Sequence, residues 1–137
     1  MTAHVAGEAV VPTIEGWVAT ADPAGPVLRS AHGTIAVAWH RVPQPPIDQR
    51  AVAARLAAGV RARTPAAAVE FRRRGHLGGR SVAIQVVAAG DDIQLHAVSG
   101  DGSASEPLLV AVATCTREHV DRVGAAFTRV IAEVRLP

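Results

Sequence analysis

Between Val69 and Thr114 the sequence is mostly made of apolar or alternating runs of strand length, cut by glycine turns. Val69 and Phe71 alternate with Glu70 and Arg72, and Ile93, Leu95 and Ala97 alternate with Gln94, His96 and Val98. A two-residue period puts alternate side chains on opposite faces of a strand. Arg80 to Ala88 is rich in Val and Ile. Leu108 to Thr114 is nearly all apolar, which predicts a central strand covered on both faces. Gly75 to Gly79, Gly90-Asp-Asp92 and Gly100-Asp-Gly102 read as the turns between these runs. Strands joined by such turns run antiparallel, so this half of the chain predicts an antiparallel sheet.

The first half adds shorter extended pieces at Ala9 to Pro12, Trp17 to Thr20 and Val27 to Ser30, and a longer strand at Thr34 to Arg41. In that strand Ile35, Val37 and Trp39 share one face, and Ala36, Ala38 and His40 share the other. After the proline-rich turn Pro43-Gln-Pro-Pro46, Asp48 is placed to cap a helix running to about Ala62. At helical spacing Val52, Leu56 and Val60 form a stripe, with Arg50, Arg55 and Arg61 off it, and Thr64-Pro65 ends the helix. A second helix is predicted from Arg117 to about Val134, capped by Thr116. Val120, Val123, Phe127, Val130, Ile131 and Val134 fall on one side of it. Its polar side mixes acids and bases, which favours packing on a core over lying on a membrane surface. The order of elements predicts an α+β class: one domain over residues 1–137, an antiparallel sheet packed with two helices, and residues 1–8 as a flexible N-terminal arm.

The side chains available for a core are small. The chain has 28 Ala and 20 Val, but two Phe, two Trp and no Tyr. Its content of 49% apolar and 19% charged residues excludes a disordered tail. Trp17 and Trp39 are the two large anchors, and either can serve the core or line a binding pocket. No stretch approaches the ~20 apolar residues of a membrane span. Met1 to Thr13 has neither a basic start nor a long apolar run, so it is not read as a signal peptide.

All 14 basic residues are Arg, and they are unevenly placed. Residues 29–80 carry ten Arg against Asp48 and Glu70, while both flanking segments are net acidic. The expectation is that these arginines pair with acids from the flanks across the surface. Arg72, Arg73 and Arg74 form the strongest basic cluster. Only Phe71 lies near them, so the interleaved aromatic platforms of a single-strand nucleic-acid binder are missing and no nucleic-acid partner is expected. Charge on a strand also deters edge-to-edge pairing.

Catalytic and metal patterns are not found. The histidines at 4, 32, 40, 76, 96 and 119 show no short ligand spacing, although His40 and His96 lie on strands and can meet across a sheet. Cys115 sits before a helix start, with His119 four residues on, but a small buried thiol at a strand end is the favoured reading. There is no Gly-x-Ser-x-Gly elbow and no phosphate-binding glycine loop before a helix. Neither a cofactor, a metal nor an enzymatic activity is therefore expected.

The order of landmarks is Val10-Val-Pro12, Gly16-Trp17, Trp39-His-Arg-Val42, Val52-Ala-Ala-Arg-Leu56, Val69-Glu-Phe71, Gly79-Arg80-Ser-Val-Ala, Val112-Ala-Thr-Cys115 and Val130-Ile-Ala-Glu-Val134. In this order the chain resembles the C-terminal domain of the type VII secretion-associated proteins of actinobacteria, across residues 9–135. The resemblance implies a PsbP-like fold, with an antiparallel sheet between helices in an α/β/α arrangement. It also implies a membrane-associated or free-standing domain of a secretion-linked protein, and a GC-rich source matches the composition. The family tends to have aromatic residues in the strands after Gly-Arg, where this chain has Ile84, Gln85, Leu95 and His96. A second cysteine that the family has in its last helix is missing here.

These readings lead to a non-enzymatic accessory module whose partner is another protein, for which secretion machinery is the implied candidate. Arg72, Arg73, Arg74, Trp17 and Trp39 are the candidate binding residues, acting through a sheet face, a strand edge or the Arg-rich middle. The alternative is a domain for a small apolar ligand or lipid, held in a cavity between the sheet and the C-terminal helix.

Overall fold

The computed structural model describes residues 3–6 and 9–136. Its elements are β1 (Ala3–Ala6), β2 (Ala9–Pro12), β3 (Val18–Asp22), β4 (Gly25–Arg29), β5 (Gly33–His40), α1 (Gln49–Arg63), β6 (Ala68–Leu77), β7 (Arg80–Ala89), β8 (Asp92–Ser99), β9 (Leu108–Thr116) and α2 (Val120–Glu133). β3 to β9 form one antiparallel sheet of seven strands, in the order β3-β4-β5-β9-β8-β7-β6. Helix α1 carries the chain from β5, in the middle of the sheet, to β6 at its far edge. The chain then winds back strand by strand until β9 lies against β5. The α+β class and the two packed helices are as the sequence predicts.

β1 and β2 pair as a separate two-stranded sheet, with Ala3 opposite Pro12 and Ala6 opposite Ala9. Four residues of the expected flexible arm are thus a strand, because their backbone finds a partner in β2. The arm's Met1, Thr2, Gly7 and Glu8 lie outside the described residues. β2 is also tied to the chain's other end, where Val10 and Arg135 exchange two backbone hydrogen bonds of 2.9 Å.

The pleat sends Leu95, Ala97, Ala111 and Ala113 to one face of the sheet and His96, Val98, Val110 and Val112 to the other. Helix α2 covers the first face with Val123, Phe127, Val130 and Ile131, all at most 3% exposed. Burying side chains of this size stabilises by roughly 1.5–3 kcal/mol each. The helix starts three residues later than expected. Thr116 is the last residue of β9, and a 3-10 turn, Arg117–His119, takes up the chain before Val120. At its far end Arg80, from β7, donates to the carbonyl oxygens of Ile131 and Val134, which no further helical turn can satisfy.

Helix α1 lies on the second face, over β7 and β8. Asp48 caps it as expected, its carboxylate accepting from the amide of Arg50 at 2.9 Å. The contact stripe is Ala53, Ala57 and Val60, with Val52 and Leu56 only half-buried at its margin. The predicted stripe of Val52, Leu56 and Val60 is therefore turned by about one residue. Alanine at the contact lets the helix backbone come close to the sheet, and the larger side chains spread along its sides. Beyond the reach of α1 the same face is open, with Ala36 and Thr114 exposed.

Three strands differ from expectation. β9, expected to be covered on both faces, has Val110 and Val112 only half-buried and Thr114 exposed on the α1 side, whereas β8 is covered on both faces from Leu95 to Ser99. In β6 the register slips between Val69 and Phe71, so Glu70 is an extra residue and the simple alternation fails. Phe71 is left 48% exposed.

Candidate arginine edge and groove

β6 is the last strand of the sheet, and among the described residues no strand lies beyond it. Arg72 stands opposite Gln85, Arg73 opposite Ile84 and Arg74 opposite Ala83. Arg72 and Arg74 therefore project on the α1 side, and Arg73 projects with Phe71 on the α2 side. Arg50, in the first turn of α1, faces the first two across a cavity of about 550 Å³ floored by Ala53, Ala54 and Ala83. Arg50 joins the cluster by tertiary packing alone, which is why sequence reading missed it.

The expected surface pairing of these arginines is not what the fold does. Among the described residues the ion pairs of arginine are Arg117 with Glu70 at 2.8 Å and Arg129 with Glu133 at 2.7 Å. Arg50, Arg55, Arg61, Arg63, Arg72, Arg73 and Arg74 have no carboxylate within 4.0 Å among the described residues. The acids sit elsewhere on the surface. Glu70, pushed out by the bulge, takes both terminal nitrogens of Arg117, whose Nε donates to the Gly90 carbonyl. The Arg117 guanidinium beside Glu70 holds its carboxyl below the usual range.

A buried polar chain runs inward from Arg72. Its Nε donates to Gln85 Oε1 at 3.3 Å. Gln85 Nε2 donates to the Ala53 carbonyl of α1 at 2.7 Å and to His96 Nδ1 at 2.9 Å. Since the amide nitrogen has only protons to offer, Nδ1 is the acceptor and His96 Nε2–H donates to Gln94 Oε1 at 2.8 Å. Gln85 and His96 are each 1% exposed. Burial, aided by the charge of Arg63, pushes the His96 pKa down to about 4, so the ring is neutral. In the sequence Gln85 and His96 are only polar residues within strand-like runs, and nothing there joins them to Arg72.

The tryptophans lie apart from the arginines. Trp17, half-buried at the β3 end of the molecule, lines a groove of about 640 Å³ with Ile14, Ala126, His32, Arg122 and Arg129. Trp39 packs at the core margin on the α2 face, opposite Leu109, with the Arg41 guanidinium 5.0 Å over its ring. The structure therefore splits the candidate residues into an arginine edge at one end of the sheet and Trp17 near the other. The space between sheet and α2, where a ligand cavity was expected, holds the side chains of the main core. The cavity beside α2 opens on its flank instead.

His40 and His96 do not meet, because β9 stands between their strands and they are four residues apart in register. Cys115 is 7% exposed, and burial raises its pKa, the opposite of an activated thiol. His119 turns to His32, with ring centroids 4.6 Å apart, and Arg122 donates to His32 Nε2 at 3.0 Å. Among the described residues no group of three or more His, Cys, Asp and Glu is placed to hold a metal ion, and no helix is long and apolar enough to cross a membrane.

No protein-family model matches the sequence, and no curated protein matches it. Solved structures do resemble the fold. The solution structure of the cyanobacterial PsbP protein, CyanoP, from Synechocystis sp. PCC 6803 superposes with a TM-score of 0.65 at 14% identity, covering 95% of this chain and 87% of that one. LpqN of Mycobacterium tuberculosis, a protein involved in cell envelope biogenesis, also gives a TM-score of 0.65 at 14% identity, covering 94% of this chain and 83% of its own. The fold is PsbP-like.

Proposed function

We propose that this chain is a non-enzymatic accessory module that binds another protein, of the kind associated with type VII secretion at an actinobacterial cell envelope. The observation that carries the reading is the run of arginines without carboxylate partners on the free edge of the sheet. Uncompensated guanidinium groups on a rigid strand are suited to recognition, and folding alone gives no reason to hold them together. The sharing of a fold with an envelope-biogenesis protein supports the cellular setting. The raised pKa of Cys115 and the separation of His40 from His96 support the absence of catalysis.

The test is native mass spectrometry of the chain after mixing with extract of its source organism. The expected result is a retained protein that is lost when Arg72, Arg73 and Arg74 are all changed to Glu. A persistent small-molecule increment with no protein bound would favour the second reading, an apolar ligand or lipid. That reading draws on the groove beside Trp17, whose floor of Ile14, Trp17 and Ala126 is apolar.

A further inference from the structure

We infer that the partner is engaged through an extended acidic segment that adds to β6 as an eighth strand and places two carboxylates in the arginine groove. This rests on the reading of the chain as a protein-binding module and specifies where and how it binds. Three observations support it. β6 ends the sheet, so the outer backbone groups between Phe71 and Gly75 can pair with another chain. The bulge at Glu70 interrupts the ladder just before this stretch, which fixes where pairing starts. The third observation is the arrangement of charge. Arg72, Arg74 and Arg50 surround one cavity with no acid to neutralise them among the described residues.

Gln85 makes Arg72 a prepared receptor. By holding Nε it fixes the plane of the guanidinium and leaves the two terminal nitrogens for an incoming carboxylate. A paired carboxylate and guanidinium make two parallel charge-assisted hydrogen bonds. An edge meant only to repel other strands needs charge. It gains nothing from an exposed Phe71 in the same stretch, nor from a third arginine brought to it by a helix.

The register dictates the partner's pattern. All neighbours in this sheet are antiparallel, so the added strand is taken to run antiparallel to β6. Reading from its N-terminus, it sets an acid opposite Arg74, a free choice opposite Arg73, an acid opposite Arg72 and an apolar residue opposite Phe71. Directly opposed side chains on neighbouring strands have their Cβ atoms roughly 4.5–5.5 Å apart, within reach of such pairs.

The experiment is a nitrogen–proton NMR titration of the whole chain with a short peptide centred on Glu-Thr-Glu-Val. Controls are the Gln-Thr-Gln-Val and Val-Glu-Thr-Glu peptides. The expected result is shifts concentrated at Phe71 to Gly75 and at Arg50, slowed exchange of the outer β6 amides, and weaker binding at high salt. The variant Arg72→Gln/Arg74→Gln should weaken binding at least roughly tenfold for each guanidinium lost, given the usual strength of charge-assisted hydrogen bonds. The matched loss of charge on the exposed side of α1, Arg55→Gln/Arg61→Gln, should leave it unchanged.

Shifts at Trp17 and α2 instead, or a captured protein partner that binds the Arg72/Arg74 variant as well as the parent, would overturn the edge site and leave the protein-binding reading standing. Failure to retain any protein, together with binding of anionic vesicles or RNA through the same arginines, would overturn both.

Discussion

The two helices cover opposite faces of one sheet, and they do so by different means. α2 presses Val123, Phe127, Val130 and Ile131 onto Ile35, Leu95, Ala111 and Ala113, and the buried polar side chain found on that face among the described residues is the small Ser99, whose hydroxyl donates to the Ser81 carbonyl at 3.0 Å. α1 meets the sheet with alanines, and beneath it lie Gln85 and His96, the two largest buried polar side chains. The α2 face gains its stability from apolar area. The α1 face spends some of that on a hydrogen-bonded chain that links a helix carbonyl, a strand amide, an imidazole and a surface arginine. A polar chain of this kind fixes geometry more than it adds free energy, and it lies under the candidate binding edge. The contrast indicates that α2 holds the fold while α1 arranges its surface.

Phe127→Ala should separate the two faces most sharply. Emptying the space of a core phenylalanine costs about 3–5 kcal/mol, and denaturant unfolding should show it in full. An effect below that of a typical α1 substitution would break the assignment of α2 as the main support. Next in size is Gln85→Leu, which strands His96 Nδ1 without a donor. Leaving a buried polar group unpaired costs about 1–3 kcal/mol. The same variant should weaken binding of the acidic peptide while Phe71 to Gly75 keep the backbone shifts of a strand in the free chain. Full retention of peptide affinity would detach the polar chain from the edge.

A third effect, spread over a range of pH, is a loss of stability in acid. The folded chain holds His96 neutral down to about pH 4, whereas an unfolded histidine takes its proton near pH 6.5. Above that range neither state is protonated, and the full contribution is present. As pH falls from 6.5 to 4 the unfolded chain binds the extra proton, and stability drops at up to about 1.4 kcal/mol per pH unit. The variant His96→Gln should lack this component, so unfolding curves of the two proteins should converge toward pH 4. Parallel curves would show that the ring is more accessible than its burial implies.

The same contrast explains what could be read from the sequence. The α2 stripe was legible because Val, Ile and Phe at helical spacing leave little doubt about which side is buried. The strands were legible because glycine turns mark their ends. The α1 stripe was misplaced because Ala53 and Ala57 carry almost no hydrophobic signal, while Val52 and Leu56 beside them carry a strong one. The bulge at Glu70 left no trace, since one extra residue in a strand breaks no composition rule. Arg72 to Arg74 could be singled out as neighbours in sequence, but Arg50 reaches them only across the α1–β6 packing. Gln85 and His96 carry no sign of burial in the sequence, because a polar residue in a strand normally faces water.

His96 occupies the inner end of a chain of hydrogen bonds whose outer end is Arg72. Its tautomer is fixed from one side by Gln85 and from the other by Gln94. Whatever draws charge onto the outer nitrogens of Arg72 must polarise each bond in turn, and the imidazole nitrogens are the most sensitive nuclei along that line. The molecule thus contains its own indicator. A ring shut away from solvent can signal, through its nitrogen resonances and without any attached label, whether the edge of the sheet is occupied.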